Sequence, residues 1–104
     1  KMSKSKGNVV SPQEVTKKFG GEILRLWVAM SDYKGDIKIS DTILKQIADQ
    51  YRKLRNTIRI LLANLEDMEE PNYNFSSIDR WILAESKKTF NEVIDLFKKY
   101  DFSK

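Results

Sequence analysis

A chain of 104 residues, 40% hydrophobic and 33% charged, is sized for one domain and polar enough to favour long amphipathic helices over a dense two-sided sheet. A formal charge of +4 and a pI near 9.3 are compatible with a nucleotide or nucleic-acid partner without requiring one. The absence of cysteine and histidine excludes a disulfide framework, a thiolate nucleophile, a histidine base, a Ser-His-Asp triad and the usual zinc site within this chain.

The chain opens on Lys1-Met2-Ser3-Lys4-Ser5, followed by Lys6-Gly7-Asn8. Flexible lysines carry compact positive charge, serines add hydroxyl donors, and glycine lets the backbone turn. Such a loop can close over a phosphate chain; taken alone, the same residues read better as a solvated, poorly ordered tail. Lysine at position 1, with Met2 inside the loop, points to a chain cut from a longer protein or carrying an added residue. No secretory signal is present, and the longest apolar run, from Ile23 to Met30 and broken by Arg25, is too short to span a bilayer, so a cytoplasmic location is expected.

Ser11-Pro12-Gln13-Glu14 reads as a capping box opening a short helix that ends at Gly20-Gly21. The lysine loop therefore runs into a helix N-terminus, a favourable place for an anion. A second helix is expected from Glu22 to about Met30, largely buried, with Arg25 snorkelling or ion-paired at its edge. After a turn over residues 31–35, Asp36 to Ser40 alternates polar and apolar residues. With no second strand to pair with, this is a lone edge segment or extended loop.

Ser40 caps a long helix expected over Asp41 to Leu65, about 37 Å in length. Leu44, Ile47, Tyr51, Leu54, Ile58, Leu61 and Leu65 form its apolar seam. Lys45, Arg52, Arg55 and Arg59 share a face beside that seam, as an RNA-contacting stripe or as a solvated face paired through Asp49. Glu66 to Phe75, including Pro71-Asn72, reads as an interhelical loop. Ser76 with Asp79 opens a second long helix reaching about Tyr100, expected to pack antiparallel to the first, with Trp27 and Trp81 in the core. The fold class is mainly α: short helices after the loop, one extended segment, then two long helices of an incomplete bundle. Two helices cannot enclose both their apolar faces, so leftover apolar surface is expected to meet another copy or a neighbouring molecule.

From the opening loop onward, the chain resembles the class I aminoacyl-tRNA synthetases. The Lys1-Met2-Ser3-Lys4-Ser5 signature carries the first part of the resemblance. Ile23-Leu24-Arg25-Leu26-Trp27-Val28-Ala29, Ser31-Asp32-Tyr33, Ile43-Leu44-Lys45-Gln46, Tyr51-Arg52-Lys53-Leu54-Arg55-Asn56-Thr57 and Leu61-Leu62-Ala63-Asn64-Leu65 look like the isoleucine-specific members. Asp79-Arg80-Trp81-Ile82-Leu83 is shared more widely in the class. Lys6 departs from the leucine more usual in isoleucine enzymes, and Gly21 and Met30 stand where Ala and Ser are commoner.

The resemblance implies two parts: residues 1–40 as signature loop and linker at the edge of a catalytic domain, and residues 41–104 as the start of an α-helical anticodon-binding domain. It implies an enzyme that activates isoleucine with ATP and Mg2+ and transfers it to tRNA(Ile). Lys4 is then the catalytic lysine. Lys1, Met2, Ser3, Lys4 and Ser5 form the ATP-binding loop, and Lys45, Arg52, Arg55 and Arg59 are the candidate tRNA contacts. No metal ligands are expected. The chain by itself is expected to be inactive and to bind no cofactor, because the partner signature His-x-Gly-His cannot occur without histidine. A leucine or valine enzyme remains open, as does a non-catalytic basic helical module that binds RNA.

Overall fold

The computed structural model describes residues 1–70 and 74–104; Pro71 and Asn72 of the expected interhelical loop lie outside the described residues. After a single 3-10 turn at Lys4–Lys6 come α1 (Pro12–Phe19), α2 (Gly21–Met30), α3 (Asp41–Leu65) and α4 (Ser77–Lys98), with no strand among the described residues. The mainly α reading holds, and α3 begins and ends where its pattern placed it.

Three of the four helices start at a serine whose hydroxyl accepts an orphan backbone N–H. Ser11 Oγ accepts from Glu14 N, Ser40 Oγ from Ile43 N and Ser76 Oγ from Asp79 N, each at 3.2 Å. At Ser76 the capping box is complete, because the Asp79 carboxylate takes the Ser76 N–H at 2.9 Å. That backbone bond and the serine hydroxyl hold the Asp79 carboxyl below its ordinary pKa. At Ser11 only the serine half of the expected box forms. No loop separates α1 from α2: Gly20, at φ +93°, closes α1 through its N–H to Thr16 O (2.9 Å) and opens α2 in the next residue. That backbone conformation is one that only glycine adopts readily.

The core is small and lies where the first three helices meet. Val15 of α1, Ile23 of α2, and Leu44 and Ile47 of α3 are buried, ringed by half-buried Phe19, Leu24, Leu26, Trp27, Ile39, Ile43, Ala48 and Tyr51. Lys18 in the last turn of α1 pairs with Asp41 in the first turn of α3, a position that suits both helix dipoles. The hydrogen bond from Lys18, and then its charge, hold the Asp41 carboxyl below its usual value. The extended segment 36–40 has no partner strand; the half-buried Trp27 indole pins it instead, donating Nε1–H to Lys38 O at 3.2 Å.

Three packing expectations need correction. Of α2, expected to be largely buried, only Ile23 is, and Val28 is 53% exposed. Among the described helices α1 and α3 pack on it, and its open side lines an apolar cleft of about 790 Å³ with Tyr33, Ile37, Tyr100 and Phe102. The two long helices run in opposite senses, since α4 returns to bring Tyr100 and Phe102 beside α2. Yet they do not close a seam on each other: α3 is exposed from Leu54 onward and no residue of α4 is buried. Trp81, placed in the core from its apolar neighbourhood, is accordingly 62% exposed. Arg25 is an edge residue, its Nη1 3.5 Å from Glu22 Oε1.

Candidate functional site

Side chains fasten residues 1–10 where a ladder of backbone bonds would hold a hairpin. Asn8 accepts the Ser3 N–H on Oδ1 (2.9 Å) and donates from Nδ2 to Lys1 O (3.4 Å). Two residues on, Val10 donates its N–H to the Met2 sulfur at 3.3 Å. Between these fastenings the tip turns once: Lys6 N–H reaches Ser3 O (3.1 Å) and Gly7 N–H reaches Lys4 O (3.2 Å). Gly7 completes the turn at φ +64°. A Cβ there would meet nothing within 4 Å, so the left-handed backbone, and not lack of room, favours glycine.

Lys1, Lys4 and Lys6 are all exposed on this loop, and the Ser3 and Ser5 hydroxyls lie 3.2 Å apart beside them. Lys1, Met2, Asn8 and Val10 sit over residues 37–40 and Ile43, leaving an open depression of about 540 Å³. The loop is thus seated on the segment that Trp27 pins, where α3 begins. Exposed ammonium groups next to hydroxyls are donor-rich and suit a polyphosphate. Among the described residues no cluster of acidic side chains is placed to hold a metal ion.

Lys45, Arg52, Arg55 and Arg59 are all exposed on α3 but differ in their surroundings. Arg52 pairs with Asp49 at 3.2 Å. Together with Arg55 it borders a cleft at the start of α2 formed by Phe19, Gly20, Gly21 and Glu22. Lys45 is close enough to Asp41 to lower its pKa. Arg55 and Arg59 have no ion-pair partner among the described residues. This stripe and the lysine loop are separate features: the loop sits over the start of α3, and the stripe runs along the same helix.

Sequence reasoning gave Asn8 no role beyond following the lysines and Gly7. The signal was present: an asparagine after a glycine in a turn commonly bonds nearby backbone.

The chain is thus a lysine-rich loop fastened by side chains, followed by two short helices and two long ones, and comparison with known proteins gives its class. Residues 1–40 match the family model described as tRNA synthetases class I (I, L, M and V). Over its whole length the chain is 75% identical to isoleucine–tRNA ligase of Nautilia profundicola. It is 65% identical to that of a Nitratiruptor species and 64% identical to that of Campylobacter concisus. The chain belongs to the class I aminoacyl-tRNA synthetase family. Within that class its full-length similarity runs to the isoleucine–tRNA ligases, and it spans 12% of the first of these relatives and 11% of the other two. No solved structure matches it.

Proposed function

We propose that the chain works as part of an isoleucine–tRNA ligase and supplies the lysine loop that grips the phosphates of ATP. The observation that carries this reading is the loop itself: Lys1 and Lys4 are exposed on a fastened turn in a chain whose full length is similar to isoleucine–tRNA ligases. In that reaction the isoleucine carboxylate attacks the α-phosphorus of ATP, pyrophosphate leaves, and the aminoacyl group then passes to the ribose of tRNA(Ile). Negative charge builds on the α-phosphoryl oxygens and the leaving group. A fixed ammonium there favours the transition state over the ground state. Lys4 takes that catalytic role and Lys1 assists in holding the phosphates. Met2 anchors the loop, and Ser3 and Ser5 shape it or donate hydrogen bonds. Magnesium enters with ATP as part of the substrate.

On this reading residues 1–40 form the signature loop and linker, and residues 41–104 start the tRNA-binding helical domain. Lys45, Arg52, Arg55 and Arg59 then face tRNA phosphates. The enzyme works in the cytoplasm; no described helix is long and apolar enough to cross a membrane. The chain alone, apart from the rest of a ligase, is inactive, and its uncovered helix faces bring copies of it together.

Isoleucine-dependent exchange of pyrophosphate into ATP tests the central claim. In the full-length ligase, Lys4→Ala lowers exchange about 100- to 1,000-fold, the scale for losing one charge-stabilising donor, and leaves isoleucine binding intact. Undiminished exchange in that variant would remove Lys4 from the mechanism.

A further inference from the structure

We infer that Asn8 is the positioning residue of the lysine loop, setting the approach of Lys1 and Lys4 to the phosphates from one side chain. The inference rests on the ATP reading above and deepens it. Its basis is the small number of connections between the two arms of the loop. The bonds Lys6 N–H to Ser3 O and Gly7 N–H to Lys4 O lie wholly within the tip. They shape the turn but do not aim it. So does the contact between the Ser3 and Ser5 hydroxyls.

Three bonds tie residues 1–3 to residues 8–10, and two of them belong to Asn8. They grip the backbone next to the residues that matter. The Ser3 N–H held at 2.9 Å precedes Lys4, and the carbonyl held at 3.4 Å is that of Lys1. Holding both requires an acceptor and a donor on one short side chain, which an amide has and a carboxylate lacks. The third bond, from Val10 N–H to the Met2 sulfur, is a soft contact that seats the arm without replacing the amide.

Reactions that depend on charge placement lose rate when a group is displaced by about 1 Å, by as much as about 100-fold. Releasing the arm therefore acts on turnover, while isoleucine, which these residues do not hold, binds as before.

Two measurements on the full-length ligase test this together. Limited trypsin digestion reads the loop directly, because cleavage after Lys4 and Lys6 requires the arm to open. Pyrophosphate exchange reads the consequence. Asn8→Ala should speed cleavage at those two lysines and lower the kcat of exchange about 10- to 100-fold, with the KM for isoleucine unchanged. Asn8→Asp, which keeps the bond to Ser3 N–H and loses the one to Lys1 O, should fall between Asn8→Ala and the parent in both assays. Unchanged loop cleavage in Asn8→Ala overturns the inference, as does faster cleavage with undiminished kcat. A general rise in protease sensitivity, together with a raised isoleucine KM, overturns it in favour of an ordinary folding role. If Lys4→Ala leaves exchange intact, the ATP reading fails instead, and the digestion pattern still decides whether Asn8 holds the loop.

Discussion

Leu44 is 1% exposed and meets the α1 and α2 side chains Val15 and Ile23. Truncating a buried leucine removes its transfer free energy and leaves a cavity, at a cost of about 2–5 kcal/mol. Small domains have a margin of about 5–15 kcal/mol, and a core of four buried side chains among the described residues belongs at the low end of it. Leu44→Ala should therefore remove much of the stability of the α1–α3 unit and move its urea midpoint sharply down. Leu61 offers the same chemistry on the same helix at 57% exposure. Its truncation should stay within about 0.5 kcal/mol in the isolated chain, at dilutions where that chain is monomeric. Urea titrations followed by helical circular dichroism separate the two, and equal midpoints for the two variants would show that the core is not where the burial places it. The same contrast applies to the tryptophans. Trp27 and Trp81 both sit in apolar helical stretches, but the indole N–H of Trp27 reaches Lys38 O while Trp81 lies on a helix with no buried residue.

Among elements, the boundaries of α3 were readable to the residue because they have local causes: Ser40 as the cap, Asp41 in the first turn, and apolar steps of three and four from Leu44 to Leu65. Ser76 and Asp79 marked the start of α4 in the same way. What covers each stripe was not readable. Periodicity records the face a helix offers and is silent about its partner, so α4 carries as clear a pattern as α3 and buries nothing. The loop shows the same limit. Its lysines announced themselves by type, but Asn8 matters through bonds to Lys1 and Ser3 that exist only once the turn has formed. The basic face of α3 is still a proposal about RNA, and its geometry makes that proposal specific. Arg52 is engaged by Asp49 and Lys45 lies near Asp41, whereas Arg55 and Arg59 have no ion-pair partner among the described residues. In the full-length ligase, Arg55→Gln with Arg59→Gln should weaken tRNA binding more than Arg52→Gln does. It should also flatten the dependence of log K on log salt by about 0.7–0.9 for each phosphate that the variant leaves unneutralised. A salt slope identical to the parent's would leave the stripe as a solvated face.

For the whole molecule, the numbers describe a surface left open. The Cα radius of gyration is 19.0 Å, where a compact chain of this length has about 13 Å. The accessible surface is 9623 Å², against about 6,100 Å² for a compact monomer of 12.2 kDa. The excess, roughly 3,500 Å² on one chain, is more than the roughly 1,000–2,500 Å² that each partner gives to an obligate interface. Large apolar side chains stand exposed on both long helices: Leu54, Ile58, Leu61 and Leu65 on α3, and Ile78, Trp81, Phe90 and Phe97 on α4. Exposed apolar patches of this extent drive association. The isolated chain should therefore sediment as a concentration-dependent mixture of dimers and larger species at micromolar concentration. The tryptophans report which face is covered. Trp81 emission should shift to shorter wavelength as concentration rises, because association removes water from α4. Trp81→Phe should abolish that shift, since the remaining Trp27 belongs to the α1–α3 unit and its surroundings do not change. A monomer at every concentration would mean that α3 and α4 cover their stripes on each other within one chain. A shift that survives Trp81→Phe would move the contact from α4 to the open side of α2, where Val28 and Tyr33 line the apolar cleft.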